Sequence, residues 1–127
     1  MCKTTEQLEE TFYEIPDESD PNGMNPHEPG AKLDAGKIPV FQGMIDYFPR
    51  AMMAVAEVSA FGANKYAWKG WKEVKNGKQR YKDASARHQL YSSMGEEIDP
   101  DSGLLHEAHE VWNRLAALEL KLQEDQR

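Results

Sequence analysis

The chain closes on DSGLLHEAHEVWNRLAALELKLQEDQR, and the apolar spacing of that stretch predicts a helix over 101–125 with two sides that both ask for cover. His106, His109 and Asn113 fall at i, i+3 and i+7, an arc of roughly 60° at about 100° per residue. Ala116, Ala117 and Leu120 continue the same side. The opposite side collects Ala108, Val111, Trp112, Leu115, Leu118 and Leu122, so the expected core lies on the leucine side. An apolar continuation beyond Asn113 means that the histidine side is also expected to meet a second helix. Buried imidazoles must be hydrogen-bonded, charged and paired, or bound to a metal. Two histidines and an asparagine on one face equally describe a hydrogen-bonded patch or a solvated surface.

The stretch just before this helix weighs toward chemistry. RHQLYSSMGEEIDPDSG carries a third histidine, His88, and a tight acidic group, Glu96, Glu97, Asp99 and Asp101, ahead of a Ser-Gly turn. Carboxylate and neutral imidazole are the ligand types that divalent first-row metals take. Glu96, Asp99, His106 and His109 are therefore the expected metal ligands, with His88 as a further ligand or a general base. Carboxylates favour Mg or Mn, and paired histidines extend the range to Co or Zn. Asp101 or Ser102 is suited to cap the last helix.

Two more helices follow from the pattern. Gln42 to Gly62 is helical in period, with the main helix starting near Phe48 so that Pro49 lies in its first turn. Ala51, Val55, Val58 and Gly62 form its stripe, and Glu57 interrupts it. Gln79 to Met94 places Tyr81, Ala84, His88 and Tyr91 on one face and Arg80, Asp83 and Arg87 on another, and Gly95 stops it. Between them, ANKYAWKGWKEVKNGKQRYK interleaves Lys65, Lys69, Lys72, Lys75, Lys78, Arg80 and Lys82 with Tyr66, Trp68, Trp71 and Tyr81. Such a loop can stack a base while cations hold phosphates, or its tryptophans can fold back onto the helices. The fold class is all-α: a small bundle of three to four main helices with an irregular N-terminal arm and a Lys/Trp-rich loop.

At 127 residues the chain makes one core. The formal charge of −7 resides in residues 1–30, where eight acidic side chains face Lys3 alone, and the remainder carries 14 acidic and 14 basic side chains. We read 1–30 as an acidic, largely irregular arm and 31–127 as the helical nucleotide-binding domain. A short amphipathic helix with Leu8, Thr11 and Phe12 begins the arm, which would dock through Leu8, Phe12 and Tyr13. The run IPDESDPNGMNPHEPG, with four prolines and two glycines, follows, and its His27 is read as solvated. Cys2 is the sole cysteine, which excludes an internal disulfide and a cysteine-based zinc site. No apolar run reaches the length of a membrane span and no signal-peptide pattern is present, so a cytoplasmic protein is expected. A neutral body and an acidic arm weigh against nucleic acid as a partner.

In AKLDAGKIPVF, Lys32, Asp34 and Lys37 surround Gly36, a pattern able to bring two ammonium groups and a carboxylate near phosphates. This segment, followed by FGANKYAWKGW, RYKDASARH and GEEIDPDSGLLHEAHEVWN, resembles the phage-associated dATP/dGTP diphosphohydrolase N-terminal domain family over about residues 30–120. The shared set is Lys32, Asp34, Gly36, Lys37 and Pro39; Gly62, Ala63, Lys65 and Tyr66; Arg87 and His88; and Gly95, Glu96, Asp99, Ser102, Gly103, His106 and His109. The resemblance implies an all-α, MazG-like, metal-dependent nucleotide pyrophosphohydrolase that releases pyrophosphate from a purine deoxynucleoside triphosphate. It also implies a phage gene acting in a bacterial cytoplasm. The chain departs from the pattern at Lys69, Gly70 and Trp71, where Asn-Trp is the family's form, a change that bears on base or sugar specificity.

On this reading His88, Glu96 and Asp99 are the catalytic residues. Lys32, Asp34, Lys37, Lys65, Tyr66, Trp71, Arg80, Arg87 and Asn113 are the substrate-binding candidates. Lysines and arginines offset phosphate charge, and Asn113 orients a ligand or water. The alternative is a nucleotide-binding protein that sequesters a host signalling nucleotide without turning it over. The small residues on the apolar stripe of 42–62 point to a homo-oligomer.

Overall fold

The computed structural model describes residues 17–125. The amphipathic segment with Leu8, Phe12 and Tyr13, and Cys2 with it, lie outside those residues. Three α-helices form the body: α1 (Pro49–Lys65), α2 (Gly77–Ser93) and α3 (His106–Asp125). A single turn of π-helix, Phe41–Ile45, precedes α1, and a short 3-10 turn, Gly70–Glu73, precedes α2. Among the described residues the only extended pairing is an isolated antiparallel bridge between Ile98 and Leu105. The protein is thus the small all-α bundle that the periodicity predicts, and none of its described helices is long and apolar enough to cross a membrane.

The helix boundaries follow from local chemistry. Pro49 opens α1 at its first position, where a missing N–H costs nothing. α2 ends in a tight reversal: Gly95 takes φ +99°, its N–H meets Ser92 O at 3.0 Å, and the Glu96 N–H meets Tyr91 O at 3.0 Å. That pair of bonds satisfies the last carbonyls of α2 and delivers Glu96 directly beside the helix end. The last helix begins at His106, later than the spacing implies. Asp99 to Leu105 instead fold back on themselves, with Asp99 N–H to Leu104 O and Gly103 N–H to Asp99 O both at 2.8 Å and Gly103 at φ +74°. Ser102 accordingly does not open a helix; its hydroxyl accepts the Leu104 N–H.

α3 packs along α2 and more sparsely on α1. The contact surface is built of small residues: Ala108, Ala116, Ala117 and Ser85 are buried, as is Val58 of α1. At the start of α2, a side chain on buried Gly77 would come within 2.9 Å of Leu120 Cδ1, so the glycine permits close approach. Ser85 Oγ donates to Glu110 O at 2.9 Å, and Trp112 Nε1 donates to Ser59 Oγ at 2.8 Å. The expected core side of α3 is corrected here. Val111, Leu115 and Leu118 are 46%, 43% and 51% exposed, whereas the histidine and alanine side faces inward. Small side chains let helix backbones approach closely, and among the described residues Val111, Leu115 and Leu118 stay outside that contact.

The irregular segment before α1 is organised by one carboxylate. Asp20 is buried, and its oxygens accept the Asn22 and Lys32 N–H groups, each at 2.7 Å. Those amides, Lys32 first, hold its carboxyl below the usual carboxylate range.

Candidate functional site

Where α2 ends and α3 begins, three imidazoles meet. His88, on the inward face of α2, stacks on His109 with ring centroids 4.6 Å apart and planes 11° from parallel. Its Nδ1 lies 2.8 Å from Nδ1 of His106, so the two rings hold one proton between them. Nε2 of His106 in turn lies 2.8 Å from Glu96 Oε1, which makes that nitrogen a donor. His106 is only 1% exposed and is the most deeply buried large side chain among the described residues. Tyr91 and Phe61 complete the walls, at 5.3 Å from the His106 ring and 6.0 Å from the His109 ring.

The acidic turn closes the other side. His109 Nε2 is 2.7 Å from Ser102 Oγ and 3.3 Å from Asp99 Oδ2, and Ser102 Oγ donates to Asp99 Oδ2 at 3.0 Å. The Asp101 N–H also donates to Asp99 Oδ1, at 3.2 Å. Lys65, at the end of α1, ties this turn to the first helix through a 2.8 Å ion pair with Asp101.

The electrostatics follow from this packing. Burial, helped by the neighbouring His109 and His106, pushes His88 down to about 4. Burial also lowers His109, against the opposing pull of Asp99. Burial alone raises Asp99, but the Ser102 hydroxyl, the Asp101 N–H and the imidazoles outweigh it and hold the carboxyl below its usual range. The hydrogen bond and charge of Asp101 raise Lys65. The site therefore presents unprotonated His88 and His109 beside ionised Asp99 at neutral pH.

A family model for "dATP/dGTP diphosphohydrolase, N-terminal" matches residues 27–127. The chain belongs to that family. A curated relative, the "dATP/dGTP diphosphohydrolase" of Salmonella phage PMBT28, is 39% identical over 80 residues, which is 63% of this chain and 26% of the relative. The chain spans about a quarter of that relative's length. No solved structure matches it.

In this family member the fold brings together His88, Glu96, Asp99, His106 and His109 in one connected network. Lys65 reaches the network through Asp101. Asn113 is buried one turn further along α3, and its Nδ2 donates to His109 O at 2.8 Å, which braces the helix that carries the ring. Arg87 is exposed on α2 next to His88. Lys37 pairs with Glu18 at 3.3 Å, and Arg80 Nη1 donates to Lys75 O at 3.3 Å. Lys32 and Asp34 are exposed in the irregular segment, where the backbone of Lys32 is tied to Asp20. Tyr66 is 77% exposed, while Trp71 is half-buried against Tyr81 and Trp112 at ring centroid distances of 6.2 and 5.9 Å. Ser102, suited by type to cap a helix and part of the shared set, is a member of the network that the site residues expected from the sequence do not include. Its position seven residues before His109 gave it a place in the spacing, and only the folded turn shows that the two touch.

As arranged, both ring nitrogens of His106 and Nε2 of His109 are engaged by side chains of the network. Among the described residues no group of three or more His, Cys, Asp or Glu side chains surrounds a common ion position. The donor types themselves suit a divalent cation, and half-exposed Glu96 carries the carboxylate best placed to exchange an internal bond for one.

Proposed function

We propose that this chain carries the site of a nucleotide pyrophosphohydrolase that converts a purine deoxynucleoside triphosphate to its monophosphate and pyrophosphate. The observation that supports it is the junction itself: three imidazoles and two carboxylates, from α2, the acidic turn and α3, bonded as His88–His106–Glu96 and His109–Asp99 and joined by the stacking of His88 on His109. Family membership and the phage relative's printed name support the substrate class.

In this reading Glu96 and Asp99, with His106 and His109, would hold a divalent cation, Mg or Mn first and Co or Zn next. When bound, that ion supplies positive charge against phosphate oxygens and lowers the pKa of an attacking water. The reaction adds the water oxygen to the α-phosphorus and breaks the α–β phosphoanhydride bond, with pyrophosphate as the leaving group. His88 accepts the proton of the water. Burial keeps His88 unprotonated before substrate arrives, and a polyanion beside it raises its basicity toward working pH. Ser102 and Asp99 hold His109 in one tautomer, Asn113 steadies the backbone behind it, and Lys65 and Arg87 offset phosphate charge.

One observation favours a second reading. The imidazoles already satisfy one another and the carboxylates, so the network is complete as a binding wall. Such a protein retains a nucleotide, a host signalling nucleotide among them, and releases it intact on denaturation. Incubation with a nucleotide panel and several divalent metals, followed by mass spectrometry of products and retained ligand, separates the two. Monophosphate and pyrophosphate establish turnover, intact ligand establishes sequestration, and neither outcome ends both.

The reading includes a homo-oligomer in the cytoplasm of a bacterial host. Exposed Val111, Leu115 and Leu118 on α3 support the first part, because a helix side of that character is ordinarily covered.

A further inference from the structure

The turn that leaves α1 treats neighbouring aromatic residues in opposite ways. Trp71, Tyr81 and Trp112 pack edge to face as a trio, and Tyr81 OH donates to Trp71 O at 2.7 Å. Trp68, three residues earlier, is 73% exposed, and Tyr66 is 77% exposed. An isolated exposed leucine needs no explanation, but two large rings left in water on one short turn do. Trp68 occupies the corner of a reversal closed by Gly70 N–H to Ala67 O at 3.2 Å. The next residue, Lys69, adopts φ 62°, the left-handed region in which glycine or asparagine is usual at that turn position. Trp68 takes no part in the packed trio, and the residue beside it carries an ammonium group.

One of the exposed rings, Tyr66, adjoins the proposed site. Lys65 Nζ lies 5.7 Å from the Tyr66 ring centroid and 2.8 Å from Asp101 Oδ2, and the Asp101 N–H is bonded to Asp99. The aromatic turn and the acidic turn are thus joined through a single lysine.

We propose that Trp68, with Tyr66, is the stacking platform for the purine base of the nucleotide, in place of the packed Trp71. The proposal rests on the nucleotide reading above and names where the base goes when the phosphates are at the histidine–carboxylate junction. A planar base covers exposed aromatic faces without requiring the rest of the turn to move. Trp68 and Tyr66 then discriminate a nucleoside triphosphate from a bare polyphosphate.

The test uses a non-hydrolysable dATP or dGTP analogue and inorganic tripolyphosphate, with calorimetric titration of the full chain. Trp68→Ala is expected to weaken analogue binding about tenfold and to leave tripolyphosphate binding unchanged, while Trp68→Phe restores binding of the analogue. Because the indole is exposed, the variant retains the fold, which circular dichroism checks. If wild type binds the analogue and Trp68→Ala binds it equally well, the platform is overturned and the nucleotide reading stands. Equal weakening of analogue and tripolyphosphate also overturns it, since the effect is then not on the base. If wild type binds no nucleotide with or without divalent metal, the nucleotide reading itself fails and takes the platform with it.

Discussion

The α2–α3 contact and the segment that leads into α1 make opposite use of their side chains. At the contact, the buried residues are alanines, a glycine, a serine, an asparagine and two histidines, and no fully buried side-chain nitrogen or oxygen among the described residues lacks a partner. Residues 36–51 hold Ile38, Val40, Phe41, Met44, Ile45, Tyr47 and Phe48, yet all of that segment is exposed. Burial in this chain therefore follows how closely two helices approach, and large apolar side chains do not command it. Among the described residues the most completely enclosed large side chain is an imidazole, which is stable there because Glu96 and His88 take both of its nitrogens.

The contrast is most exposed to failure at His106. His106→Ala removes a fully enclosed ring and leaves Glu96 and His88 without their partner, so a loss of about 2–4 kcal/mol in chemical denaturation is expected. A loss below about 0.5 kcal/mol would show that the network carries no stability. Next in size is the response to acid. The unfolded chain protonates His88 near 6.5 and the folded chain only near 4, so the neutral ring's contribution is complete above 6.5 and declines as pH falls from 6.5 toward 4. His109, lowered in the same direction, adds to the slope. A thermal melting temperature that rises on acidification through that window contradicts the assignment.

The exposed side is expected to respond differently. Leu115→Ser on α3 should change the stability of a single chain by about 0.5 kcal/mol or less, while sedimentation shifts to a smaller species if that side joins copies. A wild-type protein that already sediments as a monomer removes the homo-oligomer from the functional reading. The smallest effect is assigned to Lys65→Met. The Lys65–Asp101 pair is open to solvent on both sides, so the cost is expected to be the least of the four and to shrink with added salt. A larger, salt-insensitive loss would mean that the pair fastens α1 to the acidic turn more firmly than its exposure allows.

Much of this was legible in the residue order. Helical period located all three helices, Pro49 and Gly95 marked a start and a stop, and the spacing of His106, His109 and Asn113 put them on one face that proves buried. His88 followed from the Tyr81–Ala84–Tyr91 face of α2, which turns it toward α3. The start of α3 was misplaced because Asp101 and Ser102 are good helix caps by type, and the long-range bond from His106 N–H to Glu97 O that holds the preceding turn in place leaves no trace in local propensity. Trp68 and Trp71 are indistinguishable by type, three residues apart in a basic loop, and differ only because one of them meets Tyr81 and Trp112.

Periodicity and residue chemistry were enough to establish that this is a helical protein with imidazoles and carboxylates in reach of one another. That Val111, Leu115 and Leu118 on the other side of α3 stay exposed was beyond them, because both sides have the right period. The choice came from a contact between helices distant in sequence. There, Gly77, Ser85, Ala116 and Ala117 are small enough to bring α2 and α3 together, and the histidines are enclosed as a consequence.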